Sequence, residues 1–306
     1  MSRRTTAFVP TARATTTSVM TRTALVAELT GLLSGARHEA RFIADEVLGA
    51  SRSDGCGVPP NAVAAARSLA SRRRSGEPLQ YVFGHWPFRG LDLVVDPRVL
   101  IPRPETEQVV EVALSRARRL GAGRDDAFTA VDAGTGSGAI ALALATELPG
   151  CQVFATDASA DALAVAAVNL EGVRADHPQV RVELTEGSWL EALPTTLRSR
   201  IQLVVSNPPY VSEAEWEGLS TEVRNEPREA LVAGPGGDGT PGLADVETVL
   251  AQAIEWLARP GCAVVELAPH QVGEAVTAAR VLGYDEVRVE PDLAGQPRAL
   301  VAGVAR

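Results

Sequence analysis

The apolar run ending at Val131 passes through Asp132 and Ala133 into Gly134-Thr135-Gly136-Ser137-Gly138, and the chain resumes as the alanine- and leucine-rich segment Ala139–Leu148. This reads as a strand, a tight glycine turn and a helix stopped by Pro149-Gly150. The same alternation fills the rest of the chain. Strand-like runs at 128–133, 152–157, 180–185, 201–206, 262–267, 284–290 and 298–304 are separated by helical stretches, as a parallel sheet requires. Seven strands with helices between them predict an α/β fold built on a doubly wound sheet, whose ligand sites gather at strand carboxyl ends. Gly134, Asp157, Trp189 and Asn207 all fall at such ends.

Glycines let the backbone approach a ligand closely, and a helix start offers unpaired N–H groups. The loop fits the G-x-G-x-x-G/A spacing, with Ala139 in the last place, although a plain strand–helix turn has the same form. Asp157 narrows the choice. It closes the strand-like Gln152–Thr156, 19 residues after Gly138, where an acid can accept both ribose hydroxyls as well as cap a helix over Ala158–Leu170. Loop and acid together point to an adenosine-type cofactor, and NAD and S-adenosylmethionine both fit.

Asn207-Pro208-Pro209-Tyr210 separates the two. Two prolines in succession remove two backbone donors and hold the chain rigid and extended as it leaves the strand Ile201–Ser206. The Asn207 amide oxygen and the Pro208 carbonyl can accept both hydrogens of one planar NH2 group, and the Tyr210 ring can stack on its plane. The arrangement suits holding an amide or exocyclic amine while its nitrogen reacts.

Asp132–Gly138, Asp157 and Asn207–Tyr210, in this order, resemble the class I S-adenosylmethionine-dependent methyltransferases that act on planar nitrogens. Gly76–Tyr81, Leu100–Glu107, Glu226–Leu231 and Asp292–Gly295 narrow the resemblance to the HemK/PrmC family, from roughly Thr23 to the C-terminus. That resemblance implies transfer of a methyl group from S-adenosyl-L-methionine to the side-chain amide of the glutamine in the Gly-Gly-Gln motif of class 1 peptide chain release factors. It implies cofactor contacts at Gly134, Thr135, Gly136, Ser137, Gly138, Asp157, Trp189 and Asn207. Asn207, Pro208 and Tyr210 become the catalytic group, and Pro209 joins them in binding substrate. The family usually has Asp before the aromatic at the third strand's end, where it binds the adenine amine; this chain has Ser188 before Trp189. Gln296-Pro297 also departs from the family pattern. An adenine N6 or guanine N2 methyltransferase of nucleic acid would use the same pocket, and a non-catalytic cofactor-binding protein would lack one of these groups.

Charge bears on that choice. All 29 basic residues are arginine, so Schiff-base and P-loop lysine chemistry are excluded. Residues 1–100 carry 13 arginines against 8 acids, and residues 101–306 carry 16 against 30. An acidic catalytic region argues against stable nucleic-acid binding, which phosphate contacts dominate. Arg72-Arg73-Arg74 is the one basic cluster, and a solvated helix end accounts for it better than contact with ribosomal RNA or an acidic partner does. Cys56, Cys151 and Cys262 are widely spaced, without metal-ligand spacing, and read as buried thiols of a reducing, cytoplasmic compartment; no metal is expected. No apolar run reaches the ~18 residues of a membrane span.

Residues 1–20 are rich in Thr and Arg and free of acids, and read as a disordered tail; Met20 is a second possible translation start. Residues 21–75 carry helical stripes (Leu25, Leu29, Leu32, Leu33; Ala40, Ile43, Ala44, Val47, Leu48; Val63, Ala66, Leu69, Ala70) and predict a small helical bundle for substrate recognition. Residues 76–100 predict a linking β-hairpin, from Tyr81–Phe83 to Leu91–Val95. Residues 101–306 form the methyltransferase domain. Arg103, Glu105, Glu226 and Arg228 are candidates either for shaping the substrate entrance or for ion pairs that hold the hairpin region to that domain.

Overall fold

The computed structural model describes residues 20–49, 57–123 and 128–305. The expected tail, except Met20, and Cys56 lie outside them. The chain separates between Ser75 and Gly76 into two compact units.

The first unit holds three helices, α1 (Arg22–Leu32), α2 (Arg37–Leu48) and α3 (Pro60–Arg74). Thr21 caps α1 by accepting from the Ala24 N–H at 3.2 Å, and Pro60 opens α3 with its φ already helical. The expected stripes meet inside: Leu25, Leu29, Ala40, Ile43, Ala44, Ala66 and Ala70 are fully buried. The Met20 carbonyl accepts from Val58 N–H at 2.7 Å, which ties that residue to the bundle. Within the basic cluster, Arg73 makes a two-pronged ion pair with Glu39 at 2.8 Å on each arm, so this arginine is committed to the bundle.

The second unit contains, in chain order, α4 (Leu79–Phe83), β1 (His85–Phe88), β2 (Leu91–Val94), α5 (Pro104–Leu120), β3 (Thr129–Ala133), α6 (Ala139–Glu147), β4 (Gln152–Asp157), α7 (Ala160–Asp176), β5 (Arg181–Glu186), β6 (Ile201–Ser206), α8 (Glu213–Trp216), α9 (Ala244–Trp256), β7 (Leu257–Glu266), α10 (Val272–Val281), β8 (Glu286–Pro291) and β9 (Pro297–Val304). The sheet order is β5-β4-β3-β6-β7-β9-β8, parallel from β5 to β7, with β9 antiparallel to both its neighbours. From β3 the chain winds outward to β5, then returns to the other side of β3 as β6. That reversal opens a crevice beyond the carboxyl ends of β3 and β6.

Side chains alternate across the sheet, and both faces are covered. Ala130, Leu203, Val205, Cys262 and Val264 join α5 and α6 in one core, together with Phe88 and Leu93 of the hairpin. Val131, Val204, Ala263 and Val265 join α9 and α10 in the other. Cys151 and Cys262 are buried free thiols whose pKa burial raises to about 12. No helix among the described residues is long and apolar enough to cross a membrane.

Two expectations are corrected. Tyr81–Phe83 is not a strand but part of α4, which starts after Pro78 and ends at Gly84 in the left-handed region at φ +82°. The Tyr81 hydroxyl donates to the Val99 carbonyl at 2.6 Å, which fastens this turn. The hairpin itself pairs β1 with β2 around Arg89-Gly90, both at positive φ. β7 begins at Leu257 rather than at 262; the missing N–H of Pro260 and a register shift opposite Ile201–Leu203 break its pattern.

Candidate active site

The glycine loop joins β3 to α6. Gly134, Gly136 and Gly138 all lie at positive φ, which only glycine adopts without strain. A β-carbon on Gly134 would come within 2.9 Å of Trp189 Cζ3, so the loop also depends on glycine for a close approach. The N–H groups of Gly134 and Thr135 both donate to the Thr156 carbonyl at 2.9 Å, which binds the turn to the end of β4. Beneath it, Asp132 Oδ2 accepts from Thr135 Oγ1 at 2.6 Å and from Ala141 N–H at 3.0 Å. Asp132 is fully buried, its Oδ1 has no hydrogen-bond partner, and burial pushes its pKa up to about 7.

Asp157 ends β4. Its Oδ2 accepts from Gly136 N–H at 2.8 Å and its Oδ1 from Ser159 N–H at 2.9 Å, and burial raises its pKa. The cap of α7 is Ser159, whose hydroxyl accepts from Ala162 N–H at 3.2 Å, so Asp157 does not cap this helix. Asp157 faces a cavity of about 580 Å³ with Gly134, Gly136, Ser188, Trp189 and Asn207. Ser188 is exposed at its rim, and the half-buried Trp189 stands against Gly134.

Asn207 follows β6, whose last residue, Ser206, donates its hydroxyl to the Ala133 carbonyl at 2.6 Å and so ties this end to the glycine loop. Pro208 is buried; Asn207, Pro209 and Tyr210 are half-buried, and Asn207 and Pro209 line the cavity. Next to them is a group that the sequence reading did not single out, with Thr106 at the cavity wall and Glu266 behind it. Thr106, in the first turn of α5, donates to Glu266 Oε2 at 2.8 Å and stands 3.4 Å from Asn207 Nδ2. Glu266, the last residue of β7, is fully buried, and its Oε1 lies 3.5 Å from the Tyr210 hydroxyl. The Tyr210 backbone is gripped as well. Gln271 Nε2 donates to its carbonyl at 3.1 Å, and any β-carbon on Gly242 would sit 2.3 Å from that oxygen.

Asn169 was also missed. Buried on α7, it donates to the carbonyls of Val94 and Ser137 and accepts from Val94 N–H, which joins the hairpin to the glycine loop. No local pattern marks it, since a single Asn inside Ala160–Asp176 looks like any polar residue of a helix. Arg103 and Glu226 form an ion pair at 2.5 Å, and the buried Glu226 also accepts from Ile101 N–H at 3.0 Å. These two therefore anchor the segment before α5. Arg228 pairs with Glu213 and lies over Trp216, 5.5 Å from the ring centre.

Residues 122–234 match a family model described as the Methyltransferase small domain, and residues 23–84 match one described as the PrmC N-terminal domain. A methyltransferase from Pyrococcus furiosus of known structure resembles the chain with a TM-score of 0.50 at 18% identity, covering 71% of this chain and 91% of that one, which is a likeness of fold alone. The release factor glutamine methyltransferase of Bordetella pertussis is 40% identical over 267 residues, covering 86% of this chain and 93% of the relative. That of Coxiella burnetii is 34% identical over 280 residues, covering 90% and 94%. With such identity spread over nearly the whole of both proteins, the chain belongs to the release factor glutamine methyltransferase family.

Proposed function

We propose that the chain methylates the side-chain amide nitrogen of the glutamine in the Gly-Gly-Gln motif of class 1 peptide chain release factors, with S-adenosylmethionine as donor. The observation that carries this reading is that Asn207 and Pro209 face the same cavity as the glycine loop and Asp157. The chain's residues fit such a cofactor. A cavity of about 580 Å³ is ample for it, the Gly134 wall has no β-carbon, and the Asp157 oxygens keep lone pairs for ribose hydroxyls. Trp189 offers the flat surface for adenine, and Gly134, Thr135, Gly136 and Ser137 line the side left for the methionine part. When bound, S-adenosylmethionine supplies an electrophilic methyl group on positively charged sulfur.

The amide nitrogen is a poor nucleophile because its lone pair is delocalised into the carbonyl. Asn207 Oδ1 and the Pro208 carbonyl accept its two hydrogens and aim the nitrogen, and the Tyr210 ring packs on the amide plane. Positioning of this kind supplies ~7–11 kcal/mol in favourable cases. As positive charge develops on nitrogen, both oxygens bind it more strongly, so the transition state gains more than the ground state. The proton departs after transfer. Residues 21–75, which lack such chemistry, select the release factor, and the acidic residues 101–306 disfavour nucleic acid.

The test offers labelled S-adenosylmethionine with intact release factor, with release factor lacking the glutamine, or with nucleic acid. Label is expected only on the first. Asn207→Ala should lower kcat by about 100-fold or more while the affinity for S-adenosylhomocysteine changes little. Label on nucleic acid instead would overturn the substrate, and a kcat within about threefold of wild type would remove Asn207 from its role.

A further inference from the structure

We propose that Thr106 and Glu266 are positioning residues that hold the Asn207 side chain with its oxygen, rather than its nitrogen, turned toward the substrate. This rests on the reading of Asn207 as the acceptor of a substrate amide hydrogen. A carboxamide rotated by half a turn keeps its shape but exchanges acceptor for donor. With Nδ2 facing the substrate, two NH2 groups would meet and the site would fail, so something must choose between the two orientations.

Thr106 makes the choice. Its hydroxyl has one hydrogen, and Glu266 Oε2, 2.8 Å away, is the acceptor that takes it, because a carboxylate can only accept. Only lone pairs then remain on Thr106 Oγ1 toward Asn207. Nδ2 at 3.4 Å satisfies them, whereas a flipped Asn207 would set oxygen against oxygen. The other carboxylate oxygen faces the Tyr210 hydroxyl at 3.5 Å, so one buried acid attends both ends of the Asn207–Tyr210 segment. Glu266 is fully buried and Thr106 is 4% exposed. An isolated carboxylate at a strand end costs stability. The hydrogen bonds of this one run to side chains of the site rather than to the backbone ladder.

The groups facing Glu266 are Thr106 and Glu105 from α5, Arg298 from β9 and Tyr210 after β6, and Arg103 acts on Tyr210. Burial, with Glu105, pushes the Glu266 pKa up to about 7; Arg298 and the hydrogen bonds from Thr106 and Tyr210 oppose the rise. Once protonated, Glu266 can donate to Thr106, whose own hydrogen is then free for Asn207 Oδ1, and the flipped amide gains the support. Turnover should therefore rise with pH through about 7 and level off above it.

The experiment compares Thr106→Val, Thr106→Ser and Glu266→Gln in the full chain. Thr106→Val and Glu266→Gln should each lower kcat about tenfold or more, with KM for release factor and Kd for S-adenosylhomocysteine within about threefold. Thr106→Ser, which keeps the hydroxyl, should recover kcat to within about threefold of wild type. In the free protein labelled with 15N-asparagine, the Asn207 side-chain amide signals should titrate with a midpoint near 7, and should not titrate in Glu266→Gln. A Thr106→Val enzyme within about twofold of wild type, a Thr106→Ser enzyme as impaired as Thr106→Val, or pH-independent Asn207 signals in the wild type would each overturn the proposal. Should Glu266→Gln not fold, the Thr106 pair and the wild-type titration still decide it. Failure of the wild type to methylate release factor would refute the proposed function instead, and the amide titration needs no substrate.

Discussion

Replacing Asn169 should show how much of the site depends on one buried amide. Asn169 Nδ2 donates to Val94 O at 3.0 Å and to Ser137 O at 2.8 Å, while Oδ1 accepts from Val94 N–H at 2.7 Å. Asn169→Ala removes all three bonds at a position only 4% exposed. At about 1 kcal/mol for each bond, the loss is about 3 kcal/mol, and more if the freed backbone groups stay dry. The four tryptophans, Trp86, Trp189, Trp216 and Trp256, all lie beyond residue 75, so fluorescence in urea reports on the second unit. The midpoint should fall with an unchanged slope, and affinity for S-adenosylhomocysteine should weaken because Ser137 is no longer held. Asn169→Asp sharpens the test. It keeps the acceptor for Val94 N–H but sets carboxylate oxygen against two carbonyls, so its folded pKa lies above the ordinary ~3.9. The folded state then holds the proton more tightly than the unfolded one, and stability is lost as pH rises between those values. An alanine variant that loses less than about 1 kcal/mol, or an aspartate variant with the pH profile of the wild type, would refute the reasoning.

Three further outcomes are expected. Asp157→Ala should weaken S-adenosylhomocysteine binding by about 10- to 100-fold in calorimetry, because the ribose loses a charged acceptor; equal affinities would exclude that contact. A chain beginning at Met20 should match the full chain in kcat/KM on intact release factor, while one beginning at Gly76 should bind cofactor but lose most of that activity; undiminished turnover would show that residues 21–75 do not select the partner. Asp132 and Glu266 have folded pKa values of about 7, above their ordinary 3.8 and 4.5, so wild-type stability should decline as pH rises from about 4 to 7 and flatten beyond. Glu266→Gln should remove about 3 kcal/mol of that decline in pH-dependent denaturation, and an unchanged slope would mean that Glu266 ionises normally.

The parts of the site that were legible in the sequence are those that disturb a local pattern. Three glycines between a strand and a helix, an acid closing an apolar strand and two prolines after another strand are visible within a few residues, and the sheet topology brings them to one crevice. Thr106, Asn169 and Glu266 act through partners far along the chain: Thr106 and Glu266 are 160 residues apart, and Asn169 and Val94 are 75. No window of sequence contains both members of either pair. Tyr81–Phe83 failed for the opposite reason, since three apolar residues are too few to tell a strand from a helical turn. Glu266 did leave a trace, because it closes the apolar run Cys262–Val265 just as Asp157 closes β4. In a doubly wound sheet both ends abut the ligand crevice, so an acid at either position is a functional candidate on topology alone. Burial separates the two roles. Asp157 faces the cavity and has lone pairs to offer a ligand, whereas Glu266 is sealed behind Thr106 and Tyr210 and can act only through the groups it orients.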